Sequence, residues 1–403
     1  MELSIDIKGI QKLLTISKLF YYKTPAILRF IFWPVEKIYW LLSVLKLDFW
    51  QIIGEEVSSK QELSIFYAGK KENKHQLIKL AFDGTYKEKY VGKIWLWKMA
   101  TIIKNMNHKS AISITEAPLS LCKIFGNKES FCMPGWVYGE LDISGDLSSI
   151  LKKRSYKSDL KHIKKYHLDY EIINDPSILH DWYYTMHIPF IKNVHGSAAI
   201  IIDFDQVRRK FKKCDLFFIT QNGEKIAGGL IVVSKHNINY WFLGIKDGNF
   251  EYVKNGAINA LYYLSIIHYK EKSIKNIEMG PSRSFLKDGV LQYKKNRSMR
   301  IANPSRTFLL INPLSNARSV KGFFLNNPMI VMNRKRLHGI IFAEDNLIFN
   351  DEYYEKIIRD YYIKGLARLI IFVSGEVHDK IFKTIPAKYA DIISIKSIES
   401  HLN

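Results

Sequence analysis

Transfer of an acyl group to an amine needs three things: a neutral nucleophile, a partner for the oxyanion, and a route for one proton. Lys294 follows Tyr293 in the segment LQYKK. An ammonium beside a developing oxyanion in a dry site contributes on the order of several kcal/mol. Tyr293 could pack against an acyl donor or share a proton. The same lysine also suits a solvated helix face, because Lys287, Lys295, Arg297 and Arg300 are close in sequence.

Three further groups of residues could hold charged ligands. The segment Lys254-Asn255-Gly256-Ala257 opens an apolar helix. Free N–H groups and the dipole at such a terminus favour a phosphate, and Gly256 and Ala257 let backbone approach it closely. An ordinary Asn-Gly helix start reads the same way. Seven basic side chains (Lys152, Lys153, Arg154, Lys157, Lys161, Lys164 and Lys165) fall within 14 residues. They could bind the diphosphate of a nucleotide- or lipid-linked acceptor, contact tRNA phosphates, or form a solvated face. Glu278 and Arg283 bracket the turn Met279-Gly280-Pro281. Arg283 could grip a carboxylate or phosphate with its planar fork, or make a surface ion pair.

Other chemistries find little support. His162, His167, His180, His187 and His195 lack metal-ligand spacing, so no metal site is expected; His187 is left as an outside option for a general base. No G-x-S-x-G, Walker A or G-x-G-x-x-G occurs. Cys122, Cys132 and Cys214 are odd in number, which argues for a reducing compartment.

These residues must be positioned by several elements. Residues 1–60 read as helical, broken at Pro25 and Pro34. Within them, residues 19–53 are the most apolar stretch, yet Lys23, Arg29, Glu36, Lys37 and Lys46 interrupt it. They suit either a buried helical pair or an interfacial segment with Trp33, Tyr39, Trp40 and Trp50 at headgroup depth. In residues 61–147, ELSIFYAG, QLIKLAF and AISITEA read as strands and IWLWKMATIIKNM as a helix. A junction falls among Pro134, Gly135, Gly139 and Gly145. Residues 148–170 read as a basic helix capped by Ser148 or Ser149, with Tyr156, Leu160 and Ile163 on its apolar stripe. Strand LDYEII and a mostly helical 177–213 follow. Asn222-Gly223 then joins DLFFITQ to KIAGGLIVVSK as a hairpin. After strand NINYWFLGIK comes the helix AINALYYLSIIHYKE, apolar nearly all round and so buried. Strand KNIEMG, a loop PSRS, a short helix around FLKDGVLQYKKN and strand SRTFLLIN complete this region.

That order predicts an α+β domain at 148–312 with a mixed, mostly antiparallel sheet flanked by helices. Residues 313–403 read as a small α/β appendage. The length of 403 residues calls for two or three domains, and 47% hydrophobic content supplies their cores. A net charge of +21, from 60 basic and 39 acidic side chains, attracts polyanions: nucleic acid, an anionic membrane face, or a phosphorylated cofactor.

Four stretches in 148–312 resemble the Fem-type branch of the GNAT acyltransferase superfamily. They are LKKRSYKSDLKHIKKYHLDYEI, DLFFITQNGEKIAGGL, NGAINALYYLSIIHYKEKSIKNIEMGP and FLKDGVLQYKKNRSMR. The second is like a hairpin that ends in a small-residue bulge, and the last departs from the family in lacking a Gly after its aromatic. Members usually pair two GNAT-like domains, which makes 61–147 a degenerate first copy. The resemblance implies a sheet that splays beside the buried helix. It assigns Lys294 an electrophilic role with Tyr293 beside it, Asn255, Gly256 and Ala257 to the donor, and Arg154 and Lys157 to the acceptor; Arg283 joins the acceptor side on its own chemistry. The donor would be acyl-coenzyme A or aminoacyl-tRNA, with no tightly bound cofactor. The acceptor would be an amine on a phosphorylated, nucleotide- or lipid-linked cell-envelope precursor, or an amino sugar. The expected setting is cytoplasmic, with peripheral contact to the inner membrane face. The alternative is a non-catalytic membrane-surface assembly factor that keeps the fold.

Overall fold

The computed structural model describes residues 45–105, 111–196, 199, 201–344, 347–373 and 385–397. The expected helices over residues 1–44, with Trp33, Tyr39 and Trp40, lie outside these. Strands β1 (Lys46–Glu56), β2 (Glu62–Ala68), β3 (Phe82–Trp95), β4 (Ala111–Pro118) and β5 (Phe131–Pro134) come first. Next are β6 (Trp136–Asp142), β7 (Leu168–Ile173), β8 (Cys214–Gln221), β9 (Glu224–Val233), β10 (Asn237–Ile245), β11 (Asn276–Arg283) and β12 (Arg300–Pro304). The chain ends with β13 (Thr307–Pro313), β14 (Met329–Asn333), β15 (Arg336–Phe342), β16 (Leu369–Val373) and β17 (Ile393–Ser397).

Three sheets result: six strands in the order β3-β1-β2-β4-β13-β5, seven in the order β12-β6-β11-β10-β9-β8-β7, and four in the order β14-β15-β16-β17. The α+β class with mostly antiparallel pairing is as expected. The first two sheets share a pairing series. β1, β2, β4, β13 and β5 pair antiparallel, parallel, antiparallel, antiparallel. β9, β10, β11, β6 and β12 repeat that series. The boundaries at 147/148 and 312/313 do not partition these sheets. β6 precedes the first boundary yet lies in the second sheet, and β13, which precedes the second boundary except for Pro313, lies in the first. Each half completes its sheet with a strand from across the junction, so the two sequence halves are tied by backbone hydrogen bonds within each sheet.

Strand alternation explains how the second sheet sits between two layers. In β8, Phe217 and Ile219 join the core under helix Ala257–Glu271, while Leu216 and Phe218 join the core under Trp182 and Tyr183. Helix Ala257–Glu271 buries Leu261, Tyr262, Ile266 and Tyr269, as its unbroken apolarity predicts. Helix Arg154–Lys165 buries Tyr156 and Ile163 and half-buries Leu160, the expected stripe. The Asn222-Gly223 turn forms with φ 51° and 81°, which the glycine and asparagine tolerate.

Several local readings are corrected by tertiary context. Residues 46–56 are strand β1 rather than helix, because Leu47 and Phe49 alternate inward and pair with long neighbours. Trp50 packs on Tyr67 and Tyr90, under the Lys74 ammonium. QLIKLAF lies largely in helix Lys71–Ala81, whose Leu77, Ile78 and Ala81 face the core. Ile94 and Trp95 end β3, so the helix expected there begins only at Met99. The basic helix breaks at Lys152–Lys153 and ends at Lys165, and its first turn, Ser148–Leu151, is held by Asp146 accepting from the Ser148 N–H. Of the expected loop PSRS, Pro281, Ser282 and Arg283 continue β11. Gly228 and Gly229 form no bulge: their register with β8 and β10 is unbroken. A Cβ on Gly228 would lie 2.5 Å from Trp182 Nε1, and one on Gly229 would lie 3.0 Å from Leu261 Cδ1. Both glycines are there to admit those side chains.

The third sheet packs against both halves. Ile330, Leu337 and Ile371 share a core with helix Ala257–Glu271, while Met329, Ile340 and Phe372 share one with β2 and β4. Among the described residues, no helix is long and apolar enough to cross a membrane.

Candidate functional site

β10 and β11 are parallel for three residue pairs: Asn237 with Asn276, Ile238 with Ile277, and Asn239 with Glu278. Then they part. β10 shifts register against β9 between Tyr240 and Phe242. β11 shifts against β6 between Glu278 and Pro281, with Gly280 at φ 71°, where glycine alone is unstrained. Two bulges at one level thus open the sheet at the place where a splay was expected. A cavity of about 940 Å³ lies there, lined by Asn239 to Trp241, by Glu278, Gly280 and Pro281, and by Trp136, Tyr138 and Glu140 of β6. Ala302–Thr307 form another wall, and Lys70, Asn73 and Glu116 of the first half close it.

Lys294 lies behind the β11 wall of this cavity. Its helix, Gly289–Asn296, is capped by Asp288, whose carboxylate accepts from the Leu291 N–H. The side chain is buried, and Nζ donates to the carbonyls of Gly280 at 3.1 Å and Pro281 at 2.8 Å. Loss of hydration in this dry place pushes its pKa down to about 8, opposed by the Asp288 charge. Gly280 matters again here. A Cβ built on it would have Lys294 Nζ as its near neighbour, at 3.9 Å. Lys294 does not itself line the cavity; it holds the backbone of Gly280 and Pro281, which do.

Tyr293 donates to Asn259 Oδ1 at 2.8 Å, and the Arg297 guanidinium lies over its ring at 3.7 Å. Burial raises the phenol's pKa far above the ordinary value. Its hydroxyl therefore ties the Lys294 helix to helix Ala257–Glu271. Arg297 Nη2 also donates to both oxygens of Asp159, at 3.0 and 2.9 Å, and the Arg297 carbonyl accepts from Tyr156 Oη at 3.1 Å. Burial raises the Asp159 pKa and the Arg297 charge opposes that shift. Asp159 and Arg297 escaped the sequence reading. The available signal was Asp159 itself, the single acid inside the run Lys152–Lys165.

The other expected residues are spread out. Gly256 starts the buried helix at φ 92° with no side-chain cap, and a Cβ on it would lie 3.0 Å from His162 Cβ. Ala257 is buried and Asn255 half-buried. Arg154 and Lys157 are exposed on the basic helix and do not line the cavity. The Arg283 guanidinium lies over the Trp136 ring at 3.7 Å and donates to Asn73 Oδ1, so it braces the cavity wall and joins the two halves. His187 is buried in the Trp182 core with Nδ1 against the Leu243 carbonyl at 2.8 Å; burial lowers its pKa, and it does not line the cavity. Among the described residues, no group of His, Cys, Asp and Glu is arranged to hold a metal.

Glu116 is a further residue the sequence did not reveal. It follows the last β2–β4 pair, as the cavity follows the last β10–β11 pair. Its Oε1 accepts from the Lys70 N–H at 3.0 Å, from Asn73 Nδ2 at 2.7 Å and from Tyr67 Oη. Helix Lys71–Ala81 begins at that point. In the first half, the protein's own carboxylate thus occupies the helix N-terminus where an anionic ligand would bind.

No family model matches the chain, and no curated protein matches it. Solved structures do. One is the C-terminal domain of a protein named as a lysylphosphatidylglycerol synthetase, from Agrobacterium fabrum, at 10% identity and TM-score 0.33, covering 68% of this chain and 85% of that one. A FemX matches at 10% identity and TM-score 0.35, covering 64% and 83%. A GCN5-related N-acetyltransferase-like protein from Streptococcus suis matches at 9% identity and TM-score 0.27, covering 65% and 82%. These are of the Fem-type and GCN5-related kinds that the sequence resembles. At such identities and scores the likeness carries no argument about chemistry, which rests on this chain's own residues.

Proposed function

We propose that this protein is an acyltransferase that moves an acyl or aminoacyl group from a thioester or ester donor to a primary amine. One observation carries the reading: β10 and β11 part at Glu278, and the buried Lys294 ammonium is held by the carbonyls of Gly280 and Pro281, on the strand that edges this opening. A mixed sheet that opens in this way offers a slot for an extended donor.

In the reaction, the amine's lone pair forms a C–N bond to the donor carbonyl. The donor's C–O or C–S bond then breaks, and an amine proton leaves with the departing atom. Negative charge gathers on the carbonyl oxygen in between. Two N–H groups of Lys294 are held by Gly280 and Pro281. The third is free to donate to that oxygen, and the dry setting strengthens the bond. Asn255, Gly256 and Ala257 would meet the donor's phosphate, coenzyme A or the 3′ end of a charged tRNA. Arg154 and Lys157, on the exposed face of their helix, would meet phosphates farther along the donor or acceptor.

The test uses full-length protein with two probes, acetyl-coenzyme A and a pool of aminoacylated tRNA. Each is incubated with and without an amine acceptor pool, and amide product is followed by mass spectrometry. We expect product with one donor class, reduced by about 10²–10³-fold in Lys294→Met. Equal turnover in wild type and Lys294→Met would remove the assigned role, and no product from either donor would remove the reading.

A further inference from the structure

Two of the three cysteines meet in space. Cys122 lies on helix Leu119–Phe125, which follows β4, and Cys132 lies on β5. Cys132 is the register partner of Leu310 on β13, and opposed residues of paired strands present their side chains to one face. Helix Leu119–Phe125 packs on β4 and β13 over that face. Ala117, Cys122, Phe308 and Leu310 form a small buried cluster beneath it, with Cys132 packed against them. The two thiols share a hydrogen bond.

Their surroundings differ. Cys122 is buried, and its one thiol hydrogen has two acceptors within reach, the Ala117 carbonyl at 3.7 Å and the Cys132 sulfur. The bond to Cys132, and then burial, push the Cys122 pKa far up. Cys132 is only half-buried, so a small solute reaches it. The hydrogen bond from Cys122 holds its pKa below the ordinary value; burial opposes this and the Lys123 charge assists it. A half-exposed sulfur that favours the thiolate, with a second thiol in contact behind it, is suited to react with a peroxide and then be resolved. Cys214 is the contrast. It lies apart, in the Trp182 core, and burial raises its pKa to about 11.

From this we infer that Cys132 and Cys122 form a hydroperoxide-sensitive pair, in which Cys132 is oxidised first and Cys122 closes a disulfide. The Cys132 sulfur attacks one oxygen of the peroxide. An S–O bond forms and the O–O bond breaks. The departing oxygen takes the proton given up by Cys132 and leaves as water or an alcohol. The Cys122 sulfur then attacks the sulfenic sulfur. An S–S bond forms, the S–O bond breaks, and hydroxide leaves as water with the Cys122 proton. Two thiols lose two electrons and one peroxide gains them; a small thiol reverses the change by exchange. The new bond ties the stretch that follows Glu116 to the stretch that leads through Gly135 to Trp136, three residues that line the cavity. No step depends on acyl transfer, so this inference and the acyltransferase reading fail separately.

The test exposes the reduced full chain to hydrogen peroxide, blocks remaining thiols with N-ethylmaleimide in denaturant, and maps the cysteines by peptide mass spectrometry. A Cys122–Cys132 crosslink should appear, lighter by two hydrogens than the reduced pair, and dithiothreitol should remove it. Cys214 should oxidise at least about tenfold more slowly. In Cys122→Ser the reaction should stop at the sulfenic acid of Cys132, captured by dimedone. Cys132→Ser should leave Cys122 unoxidised under the same exposure, and Lys123→Gln should slow crosslinking severalfold. Peroxide that leaves both cysteines open to N-ethylmaleimide, or that oxidises Cys214 as fast as Cys132, would overturn the inference. So would a dimedone adduct on Cys122 in Cys132→Ser with none on Cys132 in Cys122→Ser. Mapping the unaltered chain needs no variant, so a variant that misfolds does not shelter the inference.

Discussion

Arg297 grips both carboxylate oxygens of Asp159, at 3.0 and 2.9 Å, while its guanidinium lies 3.7 Å above the ring of Tyr293. The pair joins the basic helix to the helix that carries Lys294, and both side chains are almost fully buried. Such a pair costs more to break than it contributes to stability when intact, because one charge is left buried alone. Asp159→Ala should therefore destabilise the fold by about 3–5 kcal/mol. The double replacement Asp159→Leu with Arg297→Met should cost far less than the two single changes added together. Urea unfolding of the four proteins measures this, and additivity would show that the pair is uncoupled.

Lys294 provides a pH prediction. Burial brings its pKa to about 8. If its ammonium serves the oxyanion, turnover at saturating substrate should fall as pH rises through about 8. Lys294→Arg should retain activity above that pH, though lowered by the wider guanidinium. The stability effect runs in the opposite direction. Between about 8 and the ordinary lysine value the unfolded chain still holds a proton that the folded chain has released. Stability should thus rise over that window relative to Lys294→Met, and the burial cost should be fully present below it. Paired unfolding measurements across the window check the sign.

Lys295, next in sequence, has a different task. Its Nζ donates to the Asp360 carbonyl at 2.7 Å and to that of Arg359, at the end of helix Asp351–Tyr361. Lys295→Ala should free that helix end and raise cleavage near residues 361–368 in limited proteolysis.

Gly228 tests the packing of the second sheet. With Trp182 Nε1 only 2.5 Å from the place of a Cβ, Gly228→Ala should cost about 1–3 kcal/mol. Gly229→Ala meets only the end of Leu261, at 3.0 Å, and should cost less. Thermal unfolding of the two variants ranks them, and the reverse order would mean that Trp182 moves aside freely.

The amino-acid sequence by itself determined the parts whose burial is written locally. Helix Ala257–Glu271 is apolar on all sides, so it had to be central. Asn222-Gly223 had to turn, and Tyr156, Leu160 and Ile163 had to face inward. The α+β order followed from these, while the splay was implied only by the family resemblance. Lys294 was legible through its motif, but its burial was not, because its neighbours are mostly basic.

Tertiary structure decided who meets whom. Asp159 and Arg297 are 138 residues apart, and their pairing leaves no trace in either segment's periodicity. The same holds for β6 and β13, which each finish the other half's sheet, and for Glu140, which becomes dangerous to stability only when β6 is set beside Glu278. Even QLIKLAF and residues 46–56 took their final form from long-range partners. Periodicity reports that one face of an element is covered. It does not say by what, since the free energy of pairing depends on shape and charge across a contact that only the folded chain creates.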